Sequence, residues 1–336
     1  MTRRELRWLL LTGLMLLTCW QTIACARVDN AGSQTDCYVV EHAAGVTCVP
    51  NTIQRLVTLD IASLENAIAL GVQPVGGTLS ERVPAHLHRT LGETANVGAT
   101  GEPNLEQILA VKPDFIIGLG HHQAIYPQLS RIAPTVLVNF EHSGQWKEVF
   151  HQFSQVLNRE AIAQQIMSEY RDRASALHEA IEAASSSQGL PFPPQVSVVR
   201  IYPDSINLYL RDSFVGTILQ DAGLARPEAQ NISASDAQQR FGNPIQVSIS
   251  LERLEKADGD VLFVWTGEDT SQASQAAREN LNRLKANPLW QQLKAMQTQR
   301  VYLVPDYWIG WGPIIAKATI DDLLKYLVEQ KPKNSV

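Results

Sequence analysis

Residues 145 to 185 hold neither glycine nor proline and divide the chain in two. In "WKEVFHQFSQVLNREAIAQQIMSEYRDRASALHEAIEAASS" the apolar residues Ile162, Ile166, Tyr170, Ala174, Leu177 and Ile181 recur at intervals of three and four, the stripe of one long helix. Asn158 reads as a cap between a first helix and this longer one, and "SSSQGLPFPP" ends the pattern as a linker. Ahead of it, short apolar runs alternate with helical patterns. "RLVTLD", "VQPVGGT", "DFIIGLG" and "TVLVNF" read as strands. "ASLENAIALG" is a helix stopped by Gly71, "EPNLEQILAVKP" one opened by Pro103-Asn104 and closed before Pro113, and "IYPQLSRIAP" a short one. That is a β-α-β-α-β-α-β order, hence a parallel sheet with helices on both faces.

The alternation returns after the helix, beginning with "VVRIYPDSINLYLRDSFVG", residues 198 to 216. Val198 and Val199 read as strand core and Asp204-Ser205 as a turn. Ile206, Leu208 and Leu210 alternate with Asn207, Tyr209 and Arg211, the period of a strand with one buried face. "SFVGTILQDAGL" and "SLERLEKAD" follow as helices, then the strand "GDVLFVWTG", helical "RENLNRLKANPLWQQL", the strand "RVYLVP" and a last helix "PIIAKATIDDLLKYLVEQ". The expected fold class is α/β: two Rossmann-like lobes joined by one long α-helix, with a ligand cleft between them. The boundaries are an N-terminal lobe over 51–144, a helical linker over 145–187 and a C-terminal lobe over 188–336. The halves share a phrase: "NLEQILAVKPDFIIGLG" parallels "SLERLEKADGDVLFVWTG", each a short helix carrying a Glu, then a strand and a Gly.

Residues 1–25 form a targeting segment: basic "MTRREL", an apolar run too short for a comfortable span, then "QTIAC". Thr22-Ile23-Ala24-Cys25 resembles a bacterial lipoprotein processing site, so Cys25 is a candidate lipid anchor at a membrane surface. The alternative is ordinary cleavage near Ala24 or Ala26. Both readings export the chain. Residues 26–50 read as an N-terminal hairpin extension, where the spacing of Cys37 and Cys48 suits a disulfide in an oxidising compartment, the alternative being two free thiols. The net charge of −6, with no basic stripe, argues against nucleic-acid binding.

Five phrases carry a family resemblance: "RLVTLDIASLENAIALGVQPVGG", "VGATGEPNLEQILAVKPDFII", the long helix, "VVRIYPDSINLYLRDSFVGTILQDAGL" and "NPLWQQLKAMQTQRVYLVPDYWIGWGP". In this order they cover nearly all of residues 50 to 330, and they resemble the solute-binding proteins of ABC importers for ferric siderophores and vitamin B12, the type with a single helical linker. The Arg-bearing hairpin and the lack of a catalytic set favour the ferric-siderophore branch. The resemblance implies a monomer that takes an iron(III)–siderophore complex as ligand rather than a resident cofactor, and ABC permease subunits as partners. Cobalamin or haem on the same fold is the alternative.

The resemblance places Arg200 in the cleft, where a guanidinium presents a planar fork of donors to siderophore oxygens. Arg211, with Tyr209 on the same strand face, is a second candidate; its alternative is pairing with Asp204, Asp212 or another acid. In "DYWIGWG" the loop position with Gly310 and Gly312 favours a pocket for Trp308 beside Tyr307, the resemblance makes this loop cleft-lining, and Trp311 is read as core instead. Trp265, at a strand end, either walls the site or lies under the loop. Arg82 faces the cleft from the first lobe, and His121 or His122 in "GLGHHQ" lines it. The His pair also admits a directly bound metal, which needs further ligands such as Glu102 or Asp306; the expectation is no directly bound metal. The resemblance further makes Glu106 and Glu252 the carboxylates that dock on permease arginines, the alternative being helix-start residues favoured by the macrodipole. The chain has no G-x-S-x-G, H-E-x-x-H, P-loop or G-x-G-x-x-G after a strand, and Ser213 has no evident partner for esterase chemistry, so an enzyme is not expected.

Overall fold

The computed structural model describes residues 36–79, 87, 90–99, 101–268 and 270–329. The targeting segment, Cys25 and Arg82 lie outside the described residues. No helix among those residues is long and apolar enough to cross a membrane.

Strands β1 (Cys37–His42) and β2 (Gly45–Pro50) form an antiparallel hairpin closed by a Cys37–Cys48 disulfide with Cα atoms 5.5 Å apart. The hairpin packs on the first lobe. The Ala43 N–H donates to Leu137 O at 2.9 Å, Thr47 Oγ1 donates to Thr135 O at 2.8 Å, and Val49 is fully buried in a core with Phe150 and Phe153. It is part of the lobe rather than an appendage. The loop it closes has a sequence separation of 11 residues. Cys37→Ser with Cys48→Ser is therefore expected to lower the unfolding free energy by roughly 2–3 kcal/mol through the freed unfolded chain. A urea titration of both forms checks this; an unchanged midpoint would contradict it.

The first lobe is a parallel sheet of β3 (Leu56–Thr58), β4 (Gly76–Gly77), β5 (Ala95–Asn96), β8 (Phe115–Leu119) and β9 (Thr135–Val138). A small antiparallel pair, β6 (Gly98–Ala99) and β7 (Glu102–Pro103), stands apart from it. The strand order is β5-β4-β3-β8-β9, so the chain reverses direction across the sheet between β3 and β8. Every position of β8 is buried because both faces are covered. Phe115, Ile117 and Leu119 pack with Ala62, Phe150 and Phe153, and Ile116 packs with Ile108 and Leu129 on the other side.

A helix over Trp146–Val156 leads to the linker helix Glu160–Gln188. Asn158, at φ +52, makes the break and Gly189, at φ +61, ends the second helix. Its 29 residues span about 44 Å at ~1.5 Å each. The stripe differs from the expected one in its first turn: Ile162 is exposed and Ala163 is buried. Ala163 belongs to the first lobe's core, Tyr170, Ala174, Leu177 and Ile181 belong to the second's, and Met167 touches both. One rigid element thus runs through two cores.

The second lobe orders its strands β12 (Gln246–Ile249), β11 (Ile206–Tyr209), β10 (Val196–Ile201), β13 (Val261–Trp265) and β14 (Val301–Leu303). The last three are parallel; β11 and β12 are antiparallel additions. β11 is buried on both faces, not one. Tyr209 enters the core with Phe263 and Trp265, while Ile206 and Leu208 enter another with Val199 and Leu254. "SLERLEKAD" is a 3-10 segment, Leu251–Ala257, rather than an α-helix. The lobes meet at Gly144, which passes so close to Asp212 that a Cβ there would lie 1.8 Å from its carbonyl oxygen. Trp146 Nε1 also donates to Thr217 Oγ1 at 3.0 Å.

Candidate ligand-binding site

Ligands of parallel α/β sheets sit beyond the carboxyl ends of the strands, where strand order reverses. In the second lobe that position holds Arg200, one residue before the end of β10 and paired in register with Trp265 at the end of β13. Its guanidinium carbon lies 4.1 Å from the centroid of the Tyr202 ring and 4.4 Å from that of Trp265. Nη2 donates to Gly267 O and reaches Glu268 Oε1 at 3.4 Å, while Nη1 is 3.5 Å from the Tyr209 hydroxyl. Two stacked rings on one guanidinium hold it in a fixed plane. Arg200 Nε and Trp265 Nε1 are both buried without a hydrogen-bond partner among the described residues. Burial pushes the Tyr209 phenol well above its ordinary pKa, so the ring is neutral beside the cation.

Other expected site residues fall elsewhere. Tyr209 and Trp265 are buried in the core, so they back Arg200 instead of walling a pocket. Trp308 is fully buried, packs on Phe263 at 4.7 Å between centroids, and donates Nε1 to Asp322 Oδ2 at 2.9 Å. That corrects its assignment to a pocket wall: the loop folds the indole inward onto an acid of the last helix. Half-buried Tyr307 donates its hydroxyl to the same oxygen, and burial with Asp322 raises its phenol pKa. Trp311, expected in the core, is half-buried and packs on Phe140 at 5.6 Å. Arg211 Nε donates to Asp212 Oδ1 at 3.2 Å, and Asp212 Oδ2 accepts the Ala234 N–H at 2.8 Å, so this arginine pairs with the acid beside it. The loop of Gly267 touches Asp306, whose Cβ would lie 2.5 Å from a Cβ on that glycine.

In the first lobe the carboxyl ends of β3 and β8 bring Asp60, His121 and His122 together. Asp60 caps the helix Ile61–Ala69, with Oδ1 accepting from Ser63 N at 2.7 Å and Ser63 Oγ at 2.8 Å. Its Oδ2 accepts the Leu119 N–H at 3.0 Å and lies 3.4 Å from His122 Nε2. Burial opposes ionisation of Asp60, but His122 and Ser63 outweigh it and hold the carboxyl below its usual range. Partial desolvation, with His122 beside it, also lowers the pKa of His121, whose side chain still reaches the surface. The acid beside the His pair is Asp60, neither Glu102 nor Asp306.

Glu106 and Glu252 are both exposed, each in the first turn of its segment, Leu105–Ala110 and Leu251–Ala257. The two segments lead into β8 and β13, which pair with the first strand of their respective sheets, β3 and β10. Tyr202, Glu268 and Asp60 were missed as site residues. Tyr202 was within reach, standing two residues after Arg200 on the same side of an extended strand.

The sequence model of a family described as periplasmic binding protein matches residues 56–307. The achromobactin-binding periplasmic protein of Dickeya dadantii is 30% identical over 81% of this chain and 86% of its own length. The probable siderophore-binding lipoprotein YfiY of Bacillus subtilis is 30% identical over 96% of this chain and 97% of its own. Staphylococcus aureus SirA complexed with staphyloferrin B shares the fold at a TM-score of 0.73 and 24% identity, covering 88% of this chain and 100% of that one. Two α/β lobes on one linker helix, a family match over residues 56–307 and relatives similar along most of their length lead to one conclusion: the chain belongs to the periplasmic binding protein family of extracytoplasmic solute-binding proteins.

Proposed function

We propose that this protein binds a ferric siderophore presenting carboxylate or hydroxamate oxygens and delivers it, unconsumed, to the permease of an ABC importer. The observation that carries this reading is Arg200, a guanidinium clamped between Tyr202 and Trp265 at strand ends. Its 3.4 Å approach to Glu268 Oε1 is long for a charge-assisted bond. A ligand oxygen of like charge can take up donor capacity that this contact uses weakly. The names of the relatives, one for achromobactin and one for a siderophore, support the same ligand class. Arg82 and His121 are the further residues proposed to face the ligand, whereas Arg211 and Tyr307 are engaged by Asp212 and Asp322.

Titrating the soluble protein with ferric carboxylate and hydroxamate siderophores and with cobalamin, read by tryptophan fluorescence, tests the reading, because Trp265 lies against Arg200. Saturable quenching by a ferric siderophore, with the ligand recovered intact, is expected. Binding of cobalamin alone would overturn it.

Glu106 and Glu252 are proposed as the docking carboxylates, one per lobe. The apolar Leu109 and Leu251, 59% and 45% exposed, stand beside them and would be covered by a partner. Exposed ion pairs are individually weak and screened by salt. Glu106→Ala and Glu252→Ala should each reduce uptake in cells by a few-fold and leave siderophore affinity in solution unchanged. Uptake at the wild-type rate in the double variant would reject the docking role. Cys25 is proposed as the lipid anchor. Mass spectrometry of the native protein should find an acylated N-terminal Cys25, and a free N-terminus at Ala26 or beyond would remove it.

A further inference from the structure

We infer that Asp60, His121 and His122 form a binding site for a divalent first-row transition cation of the zinc type, separate from the Arg200 cluster. Two imidazoles and one carboxylate are the donor set that such ions take, and the softer-ligand and all-oxygen alternatives are not matched here. The ligand atoms lie within 4.8 Å of one another. The 3.4 Å from His122 Nε2 to Asp60 Oδ2 equals the edge of a tetrahedron with metal–ligand bonds of about 2.1 Å. The rings of His121 and His122 are 4.1 Å apart between centroids, so the 3-10 turn after β8 brings neighbouring residues to one spot.

Two further observations point to a ligand. His122 is 3% exposed and its Nε2 has no hydrogen-bond partner among the described residues, although it lies 3.4 Å from Asp60 Oδ2. Asp60 is held rigidly: Ser63 takes up Oδ1 and the Leu119 N–H fixes Oδ2. Outer hydrogen bonds of this kind orient metal-binding carboxylates. Two buried ligands and the exposed His121 leave the site open at one side, where water or a ligand atom completes the coordination. The place is the carboxyl end of β3 and β8, where the strand order of the first sheet reverses.

The test is titration of the disulfide-intact soluble protein with Co²⁺, followed by its visible absorption, and with Zn²⁺ by calorimetry at pH 7.5. One equivalent of Co²⁺ with a d–d spectrum of low coordination number, displaced by Zn²⁺, is expected. His121→Ala, at an exposed position, should weaken Co²⁺ at least tenfold while retaining the wild-type circular dichroism, and His122→Ala should do the same or more. His151→Ala, on the helix Trp146–Val156, should bind as the wild type does. The assignment is overturned if neither metal binds below millimolar concentration, or if His121→Ala binds Co²⁺ with unchanged affinity and spectrum. Arg200→Ala, which removes the residue that carries the siderophore reading, should bind Co²⁺ as the wild type does, so loss of the metal site and failure of the siderophore reading are told apart.

Discussion

Arg200→Ala is expected to weaken ferric siderophore binding ten- to a hundredfold. Hydrogen bonds to a charged group contribute roughly 1.5–3 kcal/mol, and about 1.4 kcal/mol is tenfold in affinity. Solvent screening reduces this little, because the side chain is only 12% exposed and stands between two aromatic rings. Arg200→Lys keeps the charge but loses the planar fork and the stacking, so its affinity should fall between those of the wild type and the alanine variant. Tryptophan quenching measures all three. The thermal midpoint guards against a folding defect, since Arg200 also donates to Gly267 O. An alanine variant that is folded and binds as tightly as the wild type would remove Arg200 from the site.

The elements of this fold were legible because each carries local chemistry. Gly71 and Gly223 end helices at φ +75 and +68, where a side chain would be strained. Asn104 caps its helix by accepting the N–H groups of Glu106 and Gln107. What stayed hidden depends on through-space partners. The alternation in β11 suggested a solvent face, but a central place between β10 and β12, with cores on both sides, buries Tyr209 as well as Leu208. A tryptophan in a glycine-rich loop fits a pocket or a core equally well, and Asp322, fourteen residues on, turns Trp308 inward. Arg211 was open to two readings for the same reason, and Asp212 draws it aside. Asp60 and His122 are far apart in sequence, and only the adjacency of β3 and β8 brings them together. Glu65, within "ASLENAIALG", carries no local signal of its place, and it is fully buried against the helix Pro313–Leu324.

That burial makes stability depend on pH. Glu65 Oε1 accepts the Ile315 N–H at 2.9 Å, in the first turn of the helix Pro313–Leu324. A Cβ on Gly312 would lie 3.0 Å from Glu65 Cδ and 3.1 Å from Asn66 Oδ1, so backbone closes directly over both side chains. Burial pushes the Glu65 carboxyl up to about 7, and the N–H groups of Ile315, Trp311 and Ile314 recover only part of that. Between its unfolded value of 4.5 and about 7 the folded protein keeps a proton that the unfolded chain has released. The unfolded state then binds fewer protons, so stability is full below pH ~4.5, falls as pH rises through ~7, and levels off above. The shift corresponds to a loss on the order of 3 kcal/mol. Glu65→Gln keeps the acceptor and the shape without the charge. Its urea midpoint should match the wild type near pH 5, exceed it at pH 8, and show a shallower decline between. Parallel pH profiles in the two proteins would mean that Glu65 is ionised on both sides of the folding transition. The contact joining the helix Ile61–Ala69 to the helix Pro313–Leu324 would then be a permanent charge–backbone cap instead of a protonated latch between the lobes.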